Sequence, residues 1–113
     1  MASNDRAYAV MMATAADRGE AERLARLLVE GRMAACVQLL PIESFYLWRE
    51  RLERGAEILL LVKTRRELVE PAMAALKAAH AYETPEIIAL PIDNGLPDYL
   101  AWIDGVTGSL GGD

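Results

Sequence analysis

The sequence predicts an α+β fold whose elements run β-α-β-β-α-β, with a short helix at the end. Three observations lead there. Short apolar runs alternate with apolar stripes at helical spacing, separated by brief breakers. The two middle strand patterns follow one another with no helical stripe between them. Two strands also finish alike, Leu40-Pro41-Ile42 and Leu90-Pro91-Ile92, each after a helix. Together these describe two similar βαβ halves, the split βαβ of a ferredoxin-like sandwich with an extra C-terminal helix.

Each element has its own signal. Tyr8-Ala-Val-Met-Met-Ala-Thr14 reads as a strand buried on both faces. Asp17 is placed to cap the first helix, with Glu20 three residues on in capping-box register. That helix carries its stripe at Ala21, Leu24, Leu27 and Leu28, and Gly31 supplies its stop. A second buried strand spans Met33 to Leu40, closed or bent by Pro41. Ser44 to Glu50 alternates, with Tyr46, Trp48 and Glu50 on one face and Phe45 and Leu47 on the other. Leu52-Glu-Arg-Gly55 has the composition of a hairpin turn. Glu57 to Thr64 reads as a central strand. The second helix has its stripe at Leu68, Ala72, Leu76 and Ala79. Pro71 must lie in its first turn, so it starts after Glu67. Glu86 to Ile92 is the last strand, and Pro97 opens a short third helix docked through Tyr99 and Trp102.

The 113 residues form one domain, expected over residues 8–106 between a polar tail at 1–7 and a frayed end at 107–113. With 12 basic against 17 acidic side chains the formal charge is −5. There is no run of Lys and Arg to meet phosphates, which argues against nucleic acid as a partner. One Cys excludes an intrachain disulfide framework. One His and one Cys together exclude a four-ligand Cys/His metal site within one chain. The first residues lack a signal peptide's basic start and apolar core. No apolar run approaches the roughly 18–20 residues of a membrane span. The cytoplasm is the expected compartment, with no membrane partner. Two long helices cover only one face of a four-stranded sheet, so the apolar second face predicts a homo-oligomer.

No phosphate loop, dinucleotide fingerprint, His-Glu-x-x-His helix or nucleophile elbow is present. The candidates are scattered. Cys36 reads as a small buried hydrophobe or as a thiolate ligand. His80 reads as a cation at a helix C-terminus or as a metal ligand. Glu83 and Glu86, bracketing Thr84-Pro85, could join it in holding a divalent ion. Tyr46 and Trp48 could wall a pocket. Lys63 ends the most apolar strand and must reach solvent or an acid such as Glu57, Glu83 or Glu86.

Six pieces stand in one order: Ala34-Ala-Cys-Val37, Ser44-x-Tyr46-x-Trp48, Leu52-Glu53-x-x-x-Glu57, Lys63-Thr64, His80-x-Tyr82-Glu83-x-Pro85-Glu86 and Tyr99-Leu-x-Trp102. Together they resemble the CutA family of divalent-cation tolerance proteins. The resemblance implies a ferredoxin-like fold, a homotrimer similar in architecture to the PII signalling proteins, and a role in tolerance of copper and other divalent metals. It implies no enzyme. It also implies a cleft between subunits lined by Cys36, Tyr46, Trp48, Lys63, His80, Tyr82, Glu83, Glu86 and Trp102.

The chain departs from the family pattern at several places. Ala13 stands at the first-strand Cys position linked to copper, and Ala79-His80 replaces a His-His pair. Ala81, Gln38 and Glu50 replace the usual Pro, Asn and Gly. The expected metal ligands are therefore His80, Cys36, Glu83 and Glu86, completed by a neighbouring subunit, for an ion such as copper or zinc. The alternative is a PII-like trimer that senses a small molecule or nucleotide, with Lys63 on an anionic group and Trp48 or Trp102 as a stacking wall.

Overall fold

A computed structural model describes residues 7–108. The elements are β1 (Tyr8–Ala15), α1 (Arg18–Glu30), β2 (Cys36–Trp48), β3 (Arg51–Arg65), a 3₁₀ turn (Arg66–Leu68), α2 (Val69–Ala79), β4 (Ile87–Pro91) and α3 (Pro97–Val106). The four strands form one antiparallel sheet in the order β2-β3-β1-β4. This is the expected ferredoxin-like arrangement, with both βαβ halves interleaved.

Strand alternation divides the side chains between two faces. Met11, Ala13, Leu60 and Val62 point to the side of α1 and α2, where they are fully buried with Leu24, Leu28, Ala72 and Leu76. The opposite face keeps Val10 and Met12 half-buried, so β1 is not covered equally on both sides as its composition suggested. α3 lies over one end of this second face. Ile103 is buried there. The Tyr8 hydroxyl donates to Asp104 at 2.6 Å and Arg65 Nε donates to Thr107 Oγ1 at 2.8 Å. Tyr99 and Trp102 stack on one another at 5.5 Å but stay on the exposed side. Ile103 therefore docks the helix, and they do not. Thr107 and Gly108, expected in the frayed end, are held to Arg65 and Arg32; residues 1–6 and 109–113 lie outside the described residues.

Several boundaries differ from the expectation, each for a local reason. Residues Met33 to Ala35 precede β2, which then runs straight through Pro41 instead of ending there. β2 is an edge strand, where a proline nitrogen can face outward at no cost to the ladder. The hairpin turn is Arg49-Glu50, closed by the Trp48–Arg51 pair, and residues 52–55 lie inside β3. Both turn residues have positive φ, 53° and 66°, as a two-residue turn matched to strand twist requires. Glu50 therefore does not share a face with Tyr46 and Trp48. Asp17 caps α1 by accepting from the Glu20 N–H at 2.8 Å, but the reciprocal half of the capping box does not form. Glu20 instead accepts from Arg23 and from the Ala81 N–H. Gly31 ends α1 at φ −82°, and the left-handed residue is Arg32 at φ 60°. A Cβ at Gly31 would meet the Leu27 carbonyl oxygen at 2.9 Å, so this glycine serves close approach.

β1 stops at the Ala15–Ile58 pair, while β2 and β3 stay paired out to Trp48 and Arg51. The surplus forms a two-stranded arm, and the molecule measures 47 × 26 × 20 Å. No helix among the described residues is long and apolar enough to cross a membrane.

Holding a side chain in the left-handed region costs about 1–2 kcal/mol. Glu50→Gly is therefore expected to raise unfolding stability by about 1 kcal/mol, net of the glycine's greater freedom in the unfolded chain. A higher urea midpoint at unchanged slope is the readout.

Candidate functional site

The arm overhangs the segment that follows α2, and a groove of about 700 Å³ lies between them. Register puts Ser44, Tyr46 and Trp48 of β2 on the same face as Glu53 and Glu57 of β3. Across the groove stand Tyr82, Glu83, Thr84 and Glu86, with Phe45 and Thr14 completing the lining.

The segment after α2 has no regular structure, so its shape comes from side-chain bonds. The Tyr82 N–H donates to His80 Nδ1 at 3.0 Å, which leaves the ring proton on Nε2. Nε2 then donates to the Thr14 carbonyl at 2.6 Å. His80 is thereby held as a neutral tautomer with both nitrogens engaged. Glu20 reaches over from α1 to take the Ala81 N–H at 3.0 Å. Its partner Arg23 bonds the Ala79 carbonyl at 2.7 Å. The Arg23 guanidinium above all, aided by the Ala81 N–H, holds the Glu20 carboxyl below its usual range.

At the groove's base Glu57 accepts twice, from Ser44 Oγ at 2.8 Å and from the Tyr82 hydroxyl at 2.9 Å. Burial, and then the bond to the Glu57 carboxylate, push the Tyr82 phenol up to about 12. Glu83 and Glu86 are exposed on the rim.

The expected site residues thus fall into two places within one chain. Tyr46, Trp48, Tyr82, Glu83 and Glu86 share the groove, with His80 just behind Tyr82, ring centroids 4.8 Å apart. Cys36, Lys63 and Trp102 do not line it. Cys36 pairs with Lys63, whose ammonium donates to Gln38 at 2.6 Å and to none of the three expected acids. Lys63 faces Val10, whereas the Thr14 that holds His80 faces Leu59. Four residues of strand, about 13 Å, separate the two levels. Among the described residues no three His, Cys, Asp or Glu side chains gather in a way that could hold a metal ion. The family motif contains Ser44, Glu53 and Glu57, yet their part in the groove follows from the register, which the motif spacing alone does not reveal.

A raised phenol pKa means that the folded state binds the Tyr82 proton more tightly than the unfolded chain does. The stabilisation is complete below pH 10 and is lost as pH rises toward about 12. Tyr82→Phe should lower stability at neutral pH and flatten its fall between pH 10 and 12, as read by urea unfolding at a series of pH values.

The comparisons with known proteins agree with this architecture. The profile of the family described as CutA1 divalent ion tolerance protein matches residues 9–106. The divalent-cation tolerance protein CutA of Archaeoglobus fulgidus is 45% identical over 91 residues, 80% of this chain and 89% of that protein. Protein CutA of Mus musculus is 43% identical over 91 residues, again 80% of this chain but 51% of the mouse protein. The chain therefore spans about half of that longer relative. Among solved structures, the periplasmic divalent cation tolerance protein CutA from Archaeoglobus fulgidus superposes with a TM-score of 0.86 at 41% identity, covering 88% of this chain and 97% of the other. CutA1 from Oryza sativa gives 0.87 at 38% identity, over 89% and 94% of the two chains. On sequence, motif order and fold alike, the chain belongs to the CutA1 divalent ion tolerance family.

Proposed function

We propose that this protein acts in the tolerance of divalent metal ions as a homotrimer that binds ions where subunits meet. The observation that carries assembly is the apolar surface that one chain leaves open. On the second sheet face Ile88 and Leu90 are 47% and 46% exposed, and on the arm Leu47 and Leu52 are 72% and 71% exposed. Leu47 and Leu52 lie on the helix-side face and Ile88 and Leu90 on the opposite one. The chain thus exposes two separate apolar patches, each of a kind that marks an interface, and a ribbon of two strands is marginal unless something covers it. The threefold count follows the family resemblance.

In this reading the ligands for copper or zinc are mainly oxygen. Glu83 and Glu86 are exposed at the groove, and a second subunit supplies the remaining donors. His80 would first have to release the Thr14 carbonyl. Cys36 would enter only from a neighbouring chain. The distance between Cys36 and His80 supports a role without catalysis, because a nucleophile and its base must lie within hydrogen-bond reach. We place the protein in the cytoplasm, testable by cell fractionation. The nucleotide-sensing alternative gains nothing from the groove, whose charged lining is entirely acidic, and Lys63 lies outside it.

Sedimentation should give a mass near three times the 12.4 kDa of one chain; a monomer mass would overturn the trimer. Calorimetric titration of the assembled protein with zinc and copper should show binding. The paired change Glu83→Gln with Glu86→Gln should weaken it about tenfold or more, while His80→Asn, which loosens the rim but removes neither acid, should weaken it less. If no ion binds more tightly than about millimolar, some 4 kcal/mol, direct metal binding is wrong.

A further inference from the structure

The groove has features that a bare metal ion does not use. Its volume of about 700 Å³ falls within the roughly 300–1,000 Å³ of small-molecule sites. Tyr46, Trp48 and Tyr82 line it with aromatic rings, Trp48 with the Arg49 guanidinium 5.7 Å from its ring centre, and ring faces attract ammonium groups once these are partly stripped of water. Every charged side chain in the lining is a carboxylate. Glu57 is occupied by Ser44 and Tyr82. Glu53, Glu83 and Glu86 have no ion-pair partner among the described residues.

Spacing then discriminates between ligand classes. Glu53 and Glu57 stand four residues apart on one face of β3, about 13 Å along the strand. Glu57 is itself occupied, but its bond to Tyr82 sets the level of the adjoining Glu83, so a compact ion touches Glu53 or Glu83, whereas a chain with several charges spans both. Each of these acids has a ring beside it, since Tyr46 is the cross-strand partner of Glu53 and Tyr82 is bonded to Glu57. Charge and apolar surface therefore alternate along the groove. That is the pattern of a molecule with ammonium groups separated by methylene segments.

We infer that the groove binds a linear aliphatic polyamine. Its ammonium groups meet Glu53, Glu83 and Glu86, and its methylene segments lie along Tyr46 and Trp48. The inference rests on the groove being the functional site and adds to that reading a ligand class of its own. Anionic ligands are repelled there, and monoamines satisfy only one of the acids.

Spermidine is the probe, titrated calorimetrically into the assembled protein beside propylamine and zinc. Spermidine should bind at least tenfold more tightly than propylamine and weaken as salt rises. Glu53→Gln and Trp48→Leu, both at sites with accessible side chains, should each weaken spermidine about fivefold with the thermal midpoint little changed. Zinc binding should not respond to Trp48→Leu. Equal affinity for spermidine and propylamine would overturn the inference, as would spermidine binding that ignores both substitutions. Spermidine bound as expected in a protein that takes up no zinc would uphold the inference and refute the metal reading alone.

Discussion

The β3 strand is 15 residues long and its central neighbour β1 only 8. Backbone donors and acceptors of β3 are shared with strands on both sides from Ile58 to Lys63, but with β2 alone from Arg51 to Glu57. The arm exists because of this mismatch, and the groove exists because the arm overhangs. Cross-strand pairs must supply the order that a third strand would otherwise give. Arg54 bonds Glu43 at 2.7 Å while lying 5.5 Å from the Phe45 ring centre. Arg49 sits 5.7 Å from the Trp48 ring centre at the tip. At the root of the arm, Ser44 and Glu57 are bonded.

The opposite wall is ordered by a different means. Residues 80–84 form neither helix nor strand, yet bonds from three parts of the chain fix them: Thr14 of β1, Glu20 of α1 and Glu57 of β3. A half-buried neutral imidazole suits this task because it donates from one nitrogen and accepts at the other. The lone histidine is thus best understood as the brace of the rim that carries Glu83 and Glu86. The network explains why its residues fall close together in sequence but bond to groups up to 66 positions away.

Element type and order could be read from the sequence because periodicity reports which face is buried. The β-α-β-β-α-β pattern, the Asp17 cap and the start of α2 just ahead of Pro71 all follow from local chemistry. The turn at Arg49-Glu50 was hidden because neither residue favours positive φ, while Gly55 looked like a turn and sits within a strand. Pro41 looked like a stop because the sequence does not say which strands lie at an edge. The groove was half legible. Tyr46, Trp48, Tyr82, Glu83 and Glu86 belong to one motif set and do converge. Cys36 and Lys63 belong to the same set and lie elsewhere, since a motif records order along the chain and not level along the sheet.

Both outer strands carry a proline, Pro41 on β2 and Pro91 on β4, at the matching Leu-Pro-Ile positions of the two halves. Ile92 donates to the Tyr8 carbonyl, so the neighbouring Pro91 nitrogen faces away from the sheet, and unbroken pairing on either side of Pro41 demands the same there. Each free edge thus lacks one outward donor. A chain so rich in exposed Leu and Ile would otherwise offer two continuous templates on which further copies could zip without limit. A notched edge tolerates a short, defined contact but interrupts an endless one, and so favours a finite particle over a fibre.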